Sequence, residues 1–188
     1  MKLIKWFIVL AIIAAYGSRL GAAESQSLLQ VIQTLTPVEG KHLYGNTERL
    51  LHTSDAAKLE ADLQAYQKKK GVDVKVFVAV AAITTSEIIN ETGKLVSGQL
   101  KPSKGTRRIV ILTYFGYPKI NQNHETLLQI QRGIHIECDP DLGLAQPIDL
   151  EKEVIHNWKT VNGHRRNWNL DCEDAIDIAL DVVRSKIP

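Results

Sequence analysis

The chain has 188 residues, 44% hydrophobic and 23% charged. That suffices for one domain with a real core, is too short for two comfortable ones, and is not the composition of a disordered chain. Its 23 Lys and Arg against 21 Asp and Glu give a formal charge of +2, too small an excess to point to nucleic acid.

Lys2 and Lys5 precede an apolar run over residues 6–16 and a small-residue stretch ending Gly21-Ala22-Ala23. This is the three-part pattern of a secretory signal, and the run is too short to cross a bilayer comfortably. Residues 1–23 are therefore expected to be a signal peptide cut after Ala23. A cut nearer Gly17 and an uncleaved N-terminal anchor are the alternatives. Removing 1–23 takes Lys2, Lys5 and Arg19 and no acid, which leaves 20 basic residues against 21 acids, a charge of −1. No later segment is apolar enough for a transmembrane helix, so a soluble mature chain in a periplasmic, extracellular or lumenal compartment is expected.

Residues 24–52 are polar and irregular, with Pro37, Gly40 and Gly45. The stretch 24–43 reads as a leader carrying a short helix over 27–35, and 44–188 as the domain. In 53–70 Thr53 or Ser54 can cap a helix, Leu59, Leu63 and Tyr66 repeat at helical spacing, and Gly71 ends it. Lys68, Lys69 and Lys70 then complement the helix dipole. Residues 72–83 are rich in β-branched side chains and read as a strand buried on both faces. Thr84 and Glu87 form a capping box for a helix through Ile88, Leu95 and Leu100. Residues 107–114 read as a second buried strand. Strand, helix and strand at this spacing predict a parallel pair with a right-handed crossover.

The stretch 115–125 reads as a turn-rich loop. Residues 126–138 alternate, with Leu128, Ile130, Ile134 and Ile136 facing one way and Gln129, Gln131, His135 and Glu137 the other. That predicts an antiparallel strand with one wet face, in a hairpin with 107–114. Two helices follow, one from near Asp149 and one from Asp171 with Asp174 as its box partner. The expected fold is a single α/β domain: a small mixed β-sheet, a βαβ unit plus an antiparallel hairpin, flanked by helices on both faces.

Three stretches carry a resemblance to the TPM domain family, exported α/β domains related to thylakoid-lumen photosystem II repair proteins and acid-phosphatase-like proteins. Residues 50–80 are similar to the family's opening helix, Gly-Val turn and first strand. Residues 107–114 resemble its second strand. Residues 134–155 are similar to its strand, loop and helix, matching at Ile136, Glu137, Leu142, Ala145 and Pro147. The family's Gly-x-Gly-Leu-Glu turn is here Asp139-Pro140-Asp141-Leu142-Gly143, and its Asp-Arg-Gly is here Gly105-Thr106-Arg107. The resemblance implies the fold. For function it implies acid phosphatases, repair factors for membrane complexes or modulators of membrane receptors, with calcium binding in some members.

The acidic stretch after residue 138 begins like a calcium loop. Counted from Asp139, however, an EF-hand would need ligands at Gly143 and Leu150, so it is not one. A looser Ca²⁺ site of Asp139, Asp141 and Asp149 is one reading, and pairing of Asp139 or Asp141 with Arg107 and Arg108 is the other. Thr85 and Ser86, at a helix start beside the carboxyl ends of the parallel strands, are the anion-binding candidates. Cys138 and Cys172 read as a disulfide in an oxidising compartment, or as two buried free thiols. The six histidines show no metal spacing, and no diagnostic phosphatase motif is present. The reading is a soluble exported binding or accessory domain acting on a membrane-associated protein or complex, with Ca²⁺ as candidate ligand. The alternatives are a weak metal-assisted acid phosphatase and a structural domain without ligand.

Overall fold

The computed structural model describes residues 31–80, 86–106, 108–120, 126–129, 133–144, 147–162 and 172–187. The elements in order are β1 (Leu43–Gly45), α1 (Thr47–Leu50), α2 (Thr53–Lys70), β2 (Val72–Val80), α3 (Ser86–Gln99), β3 (Arg108–Ile120), β4 (Thr126–Gln129), β5 (Ile134–Cys138), a 3₁₀ turn (Pro140–Leu142), α4 (Pro147–Asn162) and α5 (Cys172–Lys186). The signal region, Thr84 and Thr85, Arg107, and the stretch around His164 lie outside the described residues.

One mixed sheet organises the chain. β1, β2 and β3 are parallel in that order, and β5 lies antiparallel on the far side of β3. The expected α/β architecture is therefore the observed one. The strands alternate strictly. Leu43, Val76, Leu112 and Ile136 lie in register and enter a core covered by α2, α4 and α5. Tyr44, Phe77, Ile111 and Phe115 belong to the opposite face, where Ile89, Val96 and Leu100 of the α3 segment cover them.

The two crossovers, β1 to β2 and β2 to β3, step across the sheet in the same direction but lie on opposite faces. They therefore have opposite hands, against the right-handed rule that holds in roughly 98% of such units. Both faces of this sheet are apolar, and the split gives each one its cover.

Several boundaries differ from the sequence reading. Leu43, the last residue of the expected leader, opens the edge strand β1, and Ile32 of the same stretch is buried in the second core. Glu60 of α2 closes that edge, since its two oxygens accept the His42 and Leu43 amides at 2.7 Å each. α2 ends at Gly71 as expected, in the left-handed region at φ 66°, but its N-cap is His52 rather than Thr53 or Ser54. The His52 amide is held instead by Glu173 of α5, at 3.1 Å.

β3 runs on to Ile120, through the Gly116 and Pro118 that read as loop. Its pairing with β2 reaches Gly116, opposite Val80, and among the described residues only β4 borders it beyond that point. A proline lacking its N–H is tolerated where one side of a strand is unpaired. The returning arm is broken into β4 and β5. The register set by Tyr117 and Gln129 would place Tyr114 opposite residue 132, yet Tyr114 pairs with Ile134. Two extra residues are therefore accommodated between the segments, and the inward and outward alternation survives because two is even.

Candidate functional site

The carboxyl ends of β1 and β2 are where the chain departs to opposite faces, the arrangement that opens ligand crevices in α/β sheets. The backbone is tightly drawn there. Gly45 has φ 90°, and a side chain on it would strike the Val78 carbonyl; the Asn46 amide donates to that same oxygen at 2.8 Å. Ser86, one of the two anion candidates, is the first residue of α3 and so stands on this side of the sheet, while Thr85 lies outside the described residues.

The acidic turn is at the other end. Asp139 Oδ2 accepts the Ile109 amide at 2.8 Å, and the Asp139 amide donates to the Ile109 carbonyl at 3.1 Å. Asp139 thus extends the β3–β5 ladder by one rung. Among the described residues neither Asp139 nor Asp141 forms an ion pair with Arg108, and Arg107 lies outside them. Asp141 is exposed in the 3₁₀ turn, which Gly143 closes at φ 60°. Asp149, exposed in the first turn of α4, pairs with Lys152 at 3.2 Å.

The three aspartates therefore do not form a ligand set as they stand. No group of three or more His, Cys, Asp or Glu is placed to hold a metal ion among the described residues. The expected disulfide is also absent: Cys138 and Cys172 are not bridged to one another. Both border the same core, but sharing a core is a looser condition than the short Cα separation and converging Cβ vectors a bridge requires. Burial, with Glu137 and Asp139 nearby, pushes the Cys138 thiol pKa up.

Two buried ionic clusters were not read from the sequence. Both lie on the α3 side of the sheet. In the first, Asp73 and Lys75 project from β2 at 0% and 1% exposure. Asp73 Oδ2 accepts the Ser103 amide at 2.6 Å and lies 3.2 Å from Lys75 Nζ, and Oδ1 lies 3.0 Å from His42 Nδ1. Lys75 Nζ also donates to the Lys41 carbonyl at 2.9 Å and lies 5.7 Å from the Tyr44 ring centre. Burial alone would raise the Asp73 pKa. The hydrogen bonds from His42 and Ser103 and the Lys75 charge overcome it and hold the carboxyl at about 2. His42 Nε2, fully buried, has no hydrogen-bond partner among the described residues. The cluster joins the segment before β1, the centre of the sheet and the turn before β3. Its signal in the sequence is an Asp and a Lys two apart on one face of an otherwise apolar strand.

In the second cluster His135 of β5, on the face expected to be wet, is only 6% exposed. Gly93 of α3 lies so close that any side chain there would collide with the imidazole. The absence of a Cβ lets α3 cover the polar face. His135 Nε2 lies 2.9 Å from Glu137 Oε1, and Nδ1 lies 3.3 Å from Glu151 Oε1 of α4. Burial lowers the His135 pKa, but hydrogen bonding to Glu151 and Glu137 and their two charges outweigh it, so the net shift is upward. Glu151 also accepts the Ile136 amide at 3.0 Å and so closes the β5 edge, as Glu60 closes that of β1. Thr92 and Thr113, both fully buried, belong to the same side of the sheet.

These groups can hold helices on a sheet and respond to pH. No protein-family model matches the chain, and no curated protein matches it.

Proposed function

We propose that the chain is an exported binding or accessory domain of the TPM type, acting on a membrane-associated protein or complex. What supports the reading most is where the ionisable chemistry lies. Asp73 and His135, whose partners shift them against the effect of burial, are buried and matched inside the fold. No described helix is long and apolar enough to cross a membrane, so the membrane enters as the location of the partner. The acid-phosphatase alternative needs a nucleophile or a metal-held water, and the described carboxylates are not grouped for the latter.

Mixing the full chain with membranes, before and after protease stripping, tests the reading. Binding is expected to fall several-fold on stripped membranes. Equal binding to both removes the protein partner, and retention of the chain inside the producing cell removes export. A calcium ion at the 139–142 turn would meet Asp139 with one oxygen, Oδ2, already engaged by the Ile109 amide. A melting midpoint that rises between chelator and millimolar Ca²⁺ supports the ion, and an unchanged one removes it.

A further inference from the structure

We propose that one end of the domain, made by the C-termini of α2 and α5 and the turn before β3, docks on an anionic bilayer surface. The fold gathers there cations that the sequence scatters. α2 and α5 run side by side in the same direction: the His52 amide meets Glu173 near their starts, and the Arg184 guanidinium lies 5.1 Å from the Tyr66 ring centre near their ends. Gln67 Nε2 donates to Thr106 Oγ1 at 2.7 Å, tying the end of α2 to the turn before β3. Val72, two residues after α2, pairs with Arg108. Lys68, Lys69, Lys101, Lys104, Arg108 and Arg184 therefore share this end.

The four lysines are exposed and form no ion pair among the described residues. The carboxylates nearby are Glu39, which accepts the Lys104 amide, Asp139, which accepts that of Ile109, and Asp141. Asp73 and Lys75 cancel one another beneath the surface, and Lys186 pairs with Glu153. Arg184 is set against Asp177 of its own helix, and the five remaining cations against three carboxylates leave +2, on a chain whose residues 24–188 sum to −1. The domain is thus polarised, basic at this end and acidic elsewhere.

The occupant follows from what the patch lacks. A protein partner is ordinarily met by apolar or aromatic anchors at the centre of the contact. Among the described residues the exposed large hydrophobic is Val38, at 52%. It stands at the margin, next to the Glu39 that holds Lys104. A headgroup layer asks only for a cluster of cations, and an apolar side chain at the rim can enter the interface.

The test is co-sedimentation of the full chain with vesicles of phosphatidylcholine alone and of phosphatidylcholine mixed with phosphatidylglycerol. The neutral vesicles account for any insertion by the apolar N-terminal run. At low salt the mixed vesicles should bind about tenfold tighter or more, and raising the salt should erase the difference. The pair Lys68→Glu and Lys69→Glu should cut the preference about tenfold, as should Lys101→Glu with Lys104→Glu, each with an unchanged melting temperature. Equal binding to both vesicles, or a preference that survives both reversals, overturns the proposal. So does displacement by inorganic phosphate at matched ionic strength, which would assign a discrete phosphate pocket. Tighter binding to poly-glutamate than to the mixed vesicles overturns it in favour of an acidic protein. The proposal deepens the function proposed above, and because the vesicles hold no protein, its failure leaves the protein-partner reading standing.

Discussion

Asp73→Ala is expected to cost about 3–5 kcal/mol of folding free energy at neutral pH, the range for breaking a buried ion pair from one side. Lys75 would then be left at 1% exposure without the carboxylate it faces, and the Ser103 amide would lose its acceptor. Urea unfolding measures the loss. Adding Lys75→Met to the variant should restore much of it, because the charge left without a partner is what costs most, and an apolar chain of similar length fills the space. A double variant as unstable as the single one would refute this account of the cluster.

Acid makes an independent check. The folded pKa of Asp73, about 2, lies below an ordinary aspartate's value of about 3.9. A depressed carboxyl contributes stability that is present above the unfolded value and is lost as pH falls through the folded one. Wild type should therefore lose more stability between about pH 4 and pH 2 than Asp73→Ala does. Parallel curves would sever Asp73 from the acid response.

The second large effect has the opposite sign in pH. His135 has a raised folded pKa because Glu137 and Glu151 flank its two nitrogens and outweigh its burial. Its contribution is complete below the unfolded value of about 6.5 and is lost as pH rises through the folded one. Proton NMR of the imidazole should show a midpoint above the ordinary histidine value. Glu151→Gln leaves an oxygen for the Ile136 amide but removes a charge, so the midpoint should fall. The variant should lose about 1.5–3 kcal/mol below pH 6, the scale of a hydrogen bond to a charged group, and less above pH 9. A wild-type midpoint at or below the ordinary value would contradict the flanked imidazolium.

His135 also shows where reading the sequence stops. The alternation through Ile134, His135, Ile136 and Glu137 correctly separates two faces, because the pleat has a period of two whatever packs against it. Whether the polar face is wet depends on α3. Its approach depends on Gly93, some 40 residues away in the chain and without any period to link it to β5. Similarly, Gly116 and Pro118 are sound turn signals locally, yet they continue a strand because Val80 of β2 pairs with Gly116 and Leu128 of β4 with Pro118. β1 is three residues long, too short for a periodic signal, and is a strand because β2 offers it an edge.

What the sequence by itself determined is local: the helix closed by Gly71, the β-branched strand after it, the parallel pair across α3, the antiparallel return, and so the α/β class. These follow from hydrophobic period and turn chemistry, which act between near neighbours. The tertiary structure alone decided which charged groups meet. It put Asp73 against His42 and Ser103, His135 against Glu151, Asp139 on the Ile109 amide, and the cations of three separate segments on one end. The physical reason is reach. A charge is matched by whatever the fold brings within a few ångströms, and chain order carries no measure of that distance.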